Sequence, residues 1–204
     1  MKTLLRIGIF IIIAIILTAC SNSENEEVKP QKPPVEEKEK ESQTKLPPTQ
    51  NIEVEVEGMK EQRPAELMQS SNGFHFYMLD LYHFENENEQ TGRIEFLNDS
   101  SFYATVEKLD PSADIESLKK SSMKRAEEQT GKANELAATD LYFSYFRDAK
   151  FYVKGISEQH DVVMYLVKEV EGELFYFSLH IPSKAEMEGV ETSLWAMLQT
   201  IKPN

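Results

Sequence analysis

Hydrophobicity is distributed along this chain in blocks, and that partition limits what can fold. Residues 7–17 form an unbroken apolar run flanked by Leu4, Leu5 and Ala19, residues 21–50 hold only three apolar side chains (Val28, Val35 and Leu46), and nearly all the other apolar residues fall in 51–204. A stretch so poor in apolar groups has little to offset the entropy of ordering it, so a core has to be assembled from residues 51–204. A domain of that size buries roughly two thirds of its extended surface and needs no metal or disulfide to fold. The single cysteine, Cys20, excludes an intramolecular disulfide and a multi-cysteine metal site.

The N-terminal block reads as a targeting segment. Lys2 and Arg6 precede the apolar run, and a small residue, Ala19, precedes Cys20. That is the plan of a signal peptide, and residues 7–17 fall short of the roughly 20 residues that cross a bilayer. Leu17, Thr18, Ala19 and Cys20 resemble the lipobox of bacterial lipoproteins. The resemblance implies that residues 1–19 are removed by cleavage between Ala19 and Cys20, that the Cys20 sulfur carries a diacylglycerol, and that its amino group is open to N-acylation. A thiolate is the fitting nucleophile for thioether formation. The implied location is the extracytoplasmic face of the cell membrane, with membrane lipid as the first partner. The short n-region and the acidic tract that follows look Gram-positive in style.

With Cys20, residues 21–50 would form the anchor and standoff, residues 20–50 in all. Five prolines and twelve charged residues, without an aromatic, predict a disordered tether. The formal charge is +2 over residues 1–20, -2 over 21–50 and -13 over the remainder, against -13 for the whole chain. The domain therefore carries the acidity. It offers no basic stripe for nucleic acid, and anionic lipid would repel it.

From residue 51 the hydrophobic period becomes two. Ile52, Val54 and Val56 alternate with Glu53, Glu55 and Glu57, predicting an edge strand with one wet face. A short strand over residues 63–70 follows, Pro64 placing its start on an edge, then a meander through 74–79, 82–84, 92–97 and 101–109. Asp110 and Pro111 suit the start of a helix over residues 112–129, and Gly131 its stop. Further strands are expected at 141–146, 150–156, 161–170 and 173–181, with Glu171–Gly172 as a hairpin turn. Ser183 and Glu186 have capping-box spacing, ahead of a helix whose packed face carries Val190, Leu194, Met197, Leu198 and Ile201.

The expected fold is an α+β domain over residues 51–204, a largely antiparallel sheet with about two packed helices. Residues 73–79 (GFHFYML) near its start, and 194–203 (LWAMLQTIKP) at its end after a long strand hairpin, resemble the PsbP-like fold. That resemblance implies a noncatalytic accessory or binding role.

Candidate chemistry is sparse. The sequence has no nucleophile elbow, phosphate-binding glycine loop, zinc-binding His-Glu-x-x-His or calcium loop. His75, His83, His160 and His180 are scattered, so neither a metal nor a cofactor is expected. Asp110, Asp114 and Glu116 fit a helix start better than a calcium site. On residues 173–181, Phe175, Phe177, Leu179 and Ile181 share one face, and Tyr176, Ser178 and His180 the other. That mixed second face is either the floor of a groove or the solvated side of a strand. Tyr142, Tyr145 and Tyr152 are either core or a contact surface. The function expected is a lipid-anchored, noncatalytic domain that binds an envelope protein. Small-ligand or glycan binding and an envelope hydrolase stand as alternatives.

Overall fold

The computed structural model describes residues 46–204, so Ala19, Cys20, the signal cleavage site and most of the proline-rich tract lie outside the described residues. A mixed α+β architecture is observed, and every strand pairing among the described residues is antiparallel. The strands are β1 (Thr49–Val56), β2 (Met59–Gln69), β3 (Phe74–Leu79), β4 (Tyr82–Asn86), β5 (Thr91–Phe96), β6 (Tyr103–Lys108), β7 (Ala133–Leu136), β8 (Phe151–Ile156), β9 (Val162–Val170), β10 (Glu173–Ile181) and β11 (Lys202–Pro203). The helices are α1 (Ile115–Thr130) and α2 (Met187–Leu198). One sheet has the order β1-β2-β3-β11 and the other β4-β5-β6-β10-β9-β8-β7.

The expected meander is therefore split between two sheets. After Leu79 the chain leaves the first sheet, and across the two residues Asp80 and Leu81 it reaches Tyr82, which opens the second. β2 is also longer than expected, with Pro64 in its middle, opposite Asn51 of β1. The proline is tolerated because β3 pairs only from Ala65 onward, so at Pro64 the strand has a neighbour on one side. The turn between β1 and β2 is Glu57–Gly58, both at positive φ (51° and 75°), and the β9–β10 turn repeats it with Glu171–Gly172 (51° and 87°). Such paired left-handed residues match the twist of a two-residue hairpin.

The seven-stranded sheet is packed on one face by the main core and covered by α1 over part of the other. Phe175, Phe177, Leu179 and Ile181 of β10 point into the main core with Trp195 and Leu194 of α2 and with Phe74 and Phe76 of the other sheet. Rings meet edge-on there: Phe74 and Phe175 are 6.1 Å apart at 90°, and Phe146 and Phe177 5.7 Å apart at 78°. A smaller core on the opposite face joins Phe151, Val153, Val163, Val167 and Tyr176 to Ala126 of α1. Gly155 lets α1 approach closely, since a Cβ there would lie 2.5 Å from Thr130 Oγ1. Beyond the short β11, the free edge of β3 is capped by the end of α2. Tyr77 N–H donates to Thr200 Oγ1 (2.9 Å) and Leu79 N–H to Met197 Sδ (3.3 Å).

Several expectations are corrected. Residues 141–146 form no strand. They pass through a 3-10 turn, Ser144–Phe146, and seal the core against α2, with Phe143 and Phe146 ring centroids 5.2 and 4.7 Å from Trp195. Leu141 and Phe146, the two buried members, are five residues apart, which no strand period produces. Helix α1 starts later than expected and is capped by Asp114, whose carboxylate accepts the Ser117 N–H at 3.1 Å; Asp110 instead accepts the Ser112 N–H in the turn before it. The capping box at α2 does not form. Glu186 makes no capping bond, and the Ser183 N–H is held by Asp161 Oδ1 at 2.9 Å.

Candidate functional site

Helix α1 lies mainly over β7, β8 and β9 and reaches β10 at Tyr176, whose hydroxyl pairs with Ser122, so β5, β6 and the far end of β10 lie beyond its main cover on the same face. Strand alternation sets what that open part displays. Register aligns Arg93, Thr105, Ser178 and Tyr165 in one row across β5, β6, β10 and β9. The flanking rows place Tyr103 beside His180 and Glu107 beside Tyr176. With Arg125 and Gln129 on the edge of α1, they form a polar groove of about 240 Å³. Tyr176, Ser178 and His180, the residues expected from sequence to share a face, all line it. The groove has two arginines, Arg93 and Arg125, against two carboxylates, Glu87 and Glu107, a local balance on a strongly acidic domain.

The polar groups of the floor are engaged with one another. Ser178 Oγ and Thr105 Oγ1 share a hydrogen bond at 2.6 Å, and Tyr176 Oη and Ser122 Oγ share one at 2.9 Å. Tyr165 O–H donates to Gln129 Oε1 at 3.1 Å. Tyr103 stacks on His180 (4.1 Å between centroids, 13°), and the Arg93 guanidinium lies 3.6 Å from the Tyr103 ring centre. Arg93 is held in turn by Glu95 at 3.1 Å and by the Ser100 carbonyl at 3.2 Å.

Burial sets the charge states. It pulls His180 down to about 4, helped by Arg93, so the ring is neutral at neutral pH. Burial raises Glu107, opposed by Arg125, and pushes Tyr165 up to about 12. Catalytic geometry of the Ser–His type is not built here. Ser178 is paired to Thr105, His180 is packed between Tyr103 and Tyr165, and no hydrogen bond joins Ser178 to His180 among the described residues.

The other candidates do not converge. His75 Nδ1 is 3.1 Å from Asn204 Oδ1, His83 lies 3.9 Å from Glu85 at the sheet edge, and His160 sits in the turn before β9. No group of three His, Cys, Asp or Glu side chains is placed to hold a metal among the described residues. Tyr152 is core, Tyr142 is exposed and donates to Glu55, and Tyr145 lies against Lys168. Arg93, Tyr103, Glu107 and Arg125 escaped the sequence reading. Each sits at an ordinary outward position, and only register and the placement of α1 bring them to β10.

Two solved structures resemble the chain distantly. The solution structure of cyanobacterial PsbP (CyanoP) from Synechocystis sp. PCC 6803 is 12% identical with a TM-score of 0.40, the match covering 69% of this chain and 94% of that one. A crystal structure from Bacteroides thetaiotaomicron VPI-5482 is 10% identical with a TM-score of 0.33, the match covering 64% of this chain and 45% of that one. Comparison with curated proteins finds no match. The model of one family matches residues 46–202, most of the chain, and the protein accordingly belongs to that family, described as Domain of unknown function (DUF8580).

Proposed function

We propose that this protein is a lipid-anchored, extracytoplasmic binding module. Acylated Cys20 holds it at the outer face of the cell membrane, the segment from residue 21 to the start of the described domain at residue 46 stands that domain off the lipid, since Thr49 and Gln50 already belong to β1, and the half-covered face of the seven-stranded sheet receives an envelope protein without chemistry. One or two further acyl chains convert reversible membrane contact into stable anchoring, so the acidic domain itself needs no lipid-binding face. The observation that carries the binding role is the internal pairing of the groove: Thr105 with Ser178, Tyr176 with Ser122, and Tyr103 between Arg93 and His180. Groups fixed in this way present a preorganised surface and leave no free nucleophile beside a base. A sugar ring would need an open aromatic face, and both faces of Tyr103 are occupied, which favours a protein partner over a glycan.

A photo-crosslinking side chain in place of Gln129, compared in intact cells with one in place of Lys124 on α1, tests the groove. One recurrent envelope species at Gln129, absent at Lys124 and lost with Arg93→Ala, is expected. Equal labelling at both positions would remove the groove as the site. Cys20→Ala should leave an uncleaved precursor without lipid label. Normal processing and unchanged membrane fractionation of that variant would refute the anchor.

A further inference from the structure

A larger and chemically different hollow lies at the corner where the chain passes between the sheets. Its cavity, about 570 Å³, is walled by Val56, Leu79, Tyr82, Phe96 and Val190, and it opens where β3 has parted from β2 at Pro64. The corner is a two-residue link, Asp80–Leu81, and Leu81 takes a left-handed backbone (φ 67°) that favours glycine. Its carbonyl accepts the Leu97 N–H at 2.9 Å, which fixes the link. Leu81 is 56% exposed and Leu97 61%, so neither apolar side chain is held there by burial. A large apolar residue kept exposed on a backbone suited to glycine points to a use outside the fold.

Charge narrows that use. Glu57, Asp80, Glu186 and Glu188 are exposed around the mouth, while Arg63, the cation of the lining, is engaged by Glu61 at 2.7 Å. We propose that this cavity docks an apolar side chain carried on a basic segment of a protein partner. A leucine-like group enters against Tyr82 and Phe96 and extends the exposed surface of Leu81, while flanking lysines or arginines meet the four carboxylates. The same carboxylates repel anionic lipid and a second copy of this acidic chain, and an uncharged apolar ligand would leave them without a role. The site is independent of the polar groove.

Full-length protein in phosphatidylcholine vesicles, titrated with a labelled synthetic peptide of alternating leucine and lysine, tests the assignment. The peptide should bind, its counterpart with glutamate for lysine should not, and added salt should weaken the complex. Leu81→Gly should reduce affinity about tenfold or more while raising the thermal midpoint, because the strained backbone is relieved. Glu186→Gln combined with Glu188→Gln should weaken binding several-fold and flatten its salt dependence. Unchanged affinity in Leu81→Gly, a lowered midpoint for that variant, or equal binding of both peptides would overturn the proposal. So would self-association lost in Leu81→Gly without peptide binding, which would seat a second copy of the chain in the cavity.

Discussion

The polar groove and the apolar cavity arise in the same way and end with opposite chemistry. Each opens where a covering element stops short: α1 covers β7, β8 and β9 and reaches β10 only at Tyr176, and β3 runs beside β2 only as far as Ala65. The groove floor consists of outward positions of strands, whose neighbours across the sheet are polar and pair with one another. The cavity floor is core side chains seen from outside, such as Tyr82, Phe96 and Val190. Polar groups satisfy themselves locally by cross-strand hydrogen bonds, whereas an apolar wall gains only from something that covers it. A gap in a layer is thus rigid and self-sufficient on one side of the molecule and unfinished on the other.

The strongest way to break the comparison is to weaken the main core on which both sheets pack. Trp195→Ala deletes a ring packed against Phe143 and Phe146, and should cost about 3–5 kcal/mol. Urea unfolding should show that loss, and both hollows should fail together. Gly155→Ala strikes only the groove side. Its Cβ would press on Thr130 Oγ1 and on Val163 Cγ2 at 3.1 Å, so α1 must shift, at about 1–3 kcal/mol. Hydrogen exchange should rise in α1 and not around Leu81; a uniform rise would mean that the two regions are one cooperative unit.

A smaller effect is expected from Tyr176→Phe, which leaves Ser122 without its partner on β10 and should lower stability by about 1 kcal/mol in denaturant titration. The subtlest contrast is in pH. His180 is depressed from 6.5 to about 4, so the unfolded chain binds its proton first. Its contribution is intact above pH 6.5 and is lost as the pH falls from there toward 4. Glu107, raised by burial, acts in the opposite sense above its ordinary value. Stability of wild type minus that of His180→Phe, measured across this window, isolates the histidine and should fall with acidification. A flat difference would show His180 to be solvated.

How far the chain could be read depended on how local each signal was. Strands β8, β9 and β10 were legible because alternation runs unbroken through them and Glu171–Gly172 marks their hairpin. The same dipeptide at Glu57–Gly58 went unread, since Pro64 argued against one long β2 and only the departure of β3 makes that proline harmless. Residues 141–146 carry strand-like composition but serve as a plug over Trp195, because aromatic side chains pack in either conformation. Asp110 and Asp114 are equivalent cap candidates by type, and the turn at Ser112 gives the role to Asp114. In the groove, Tyr176, Ser178 and His180 share a face by period alone, whereas Arg93, Tyr103, Glu107 and Arg125 required a register.

What the sequence by itself determined is therefore the α+β class, the alternation that gives β10 one core face and one mixed face, and the confinement of core-forming residues to the C-terminal block. These follow from periodicity and composition, which are properties of contiguous residues. The tertiary structure decided that the early strands divide between two sheets, that α1 leaves half of one face open, and that Leu81 stands exposed beside an acidic-rimmed cavity. Each depends on pairings between residues far apart in the chain, where register and the reach of a covering element are set by packing that no local pattern encodes.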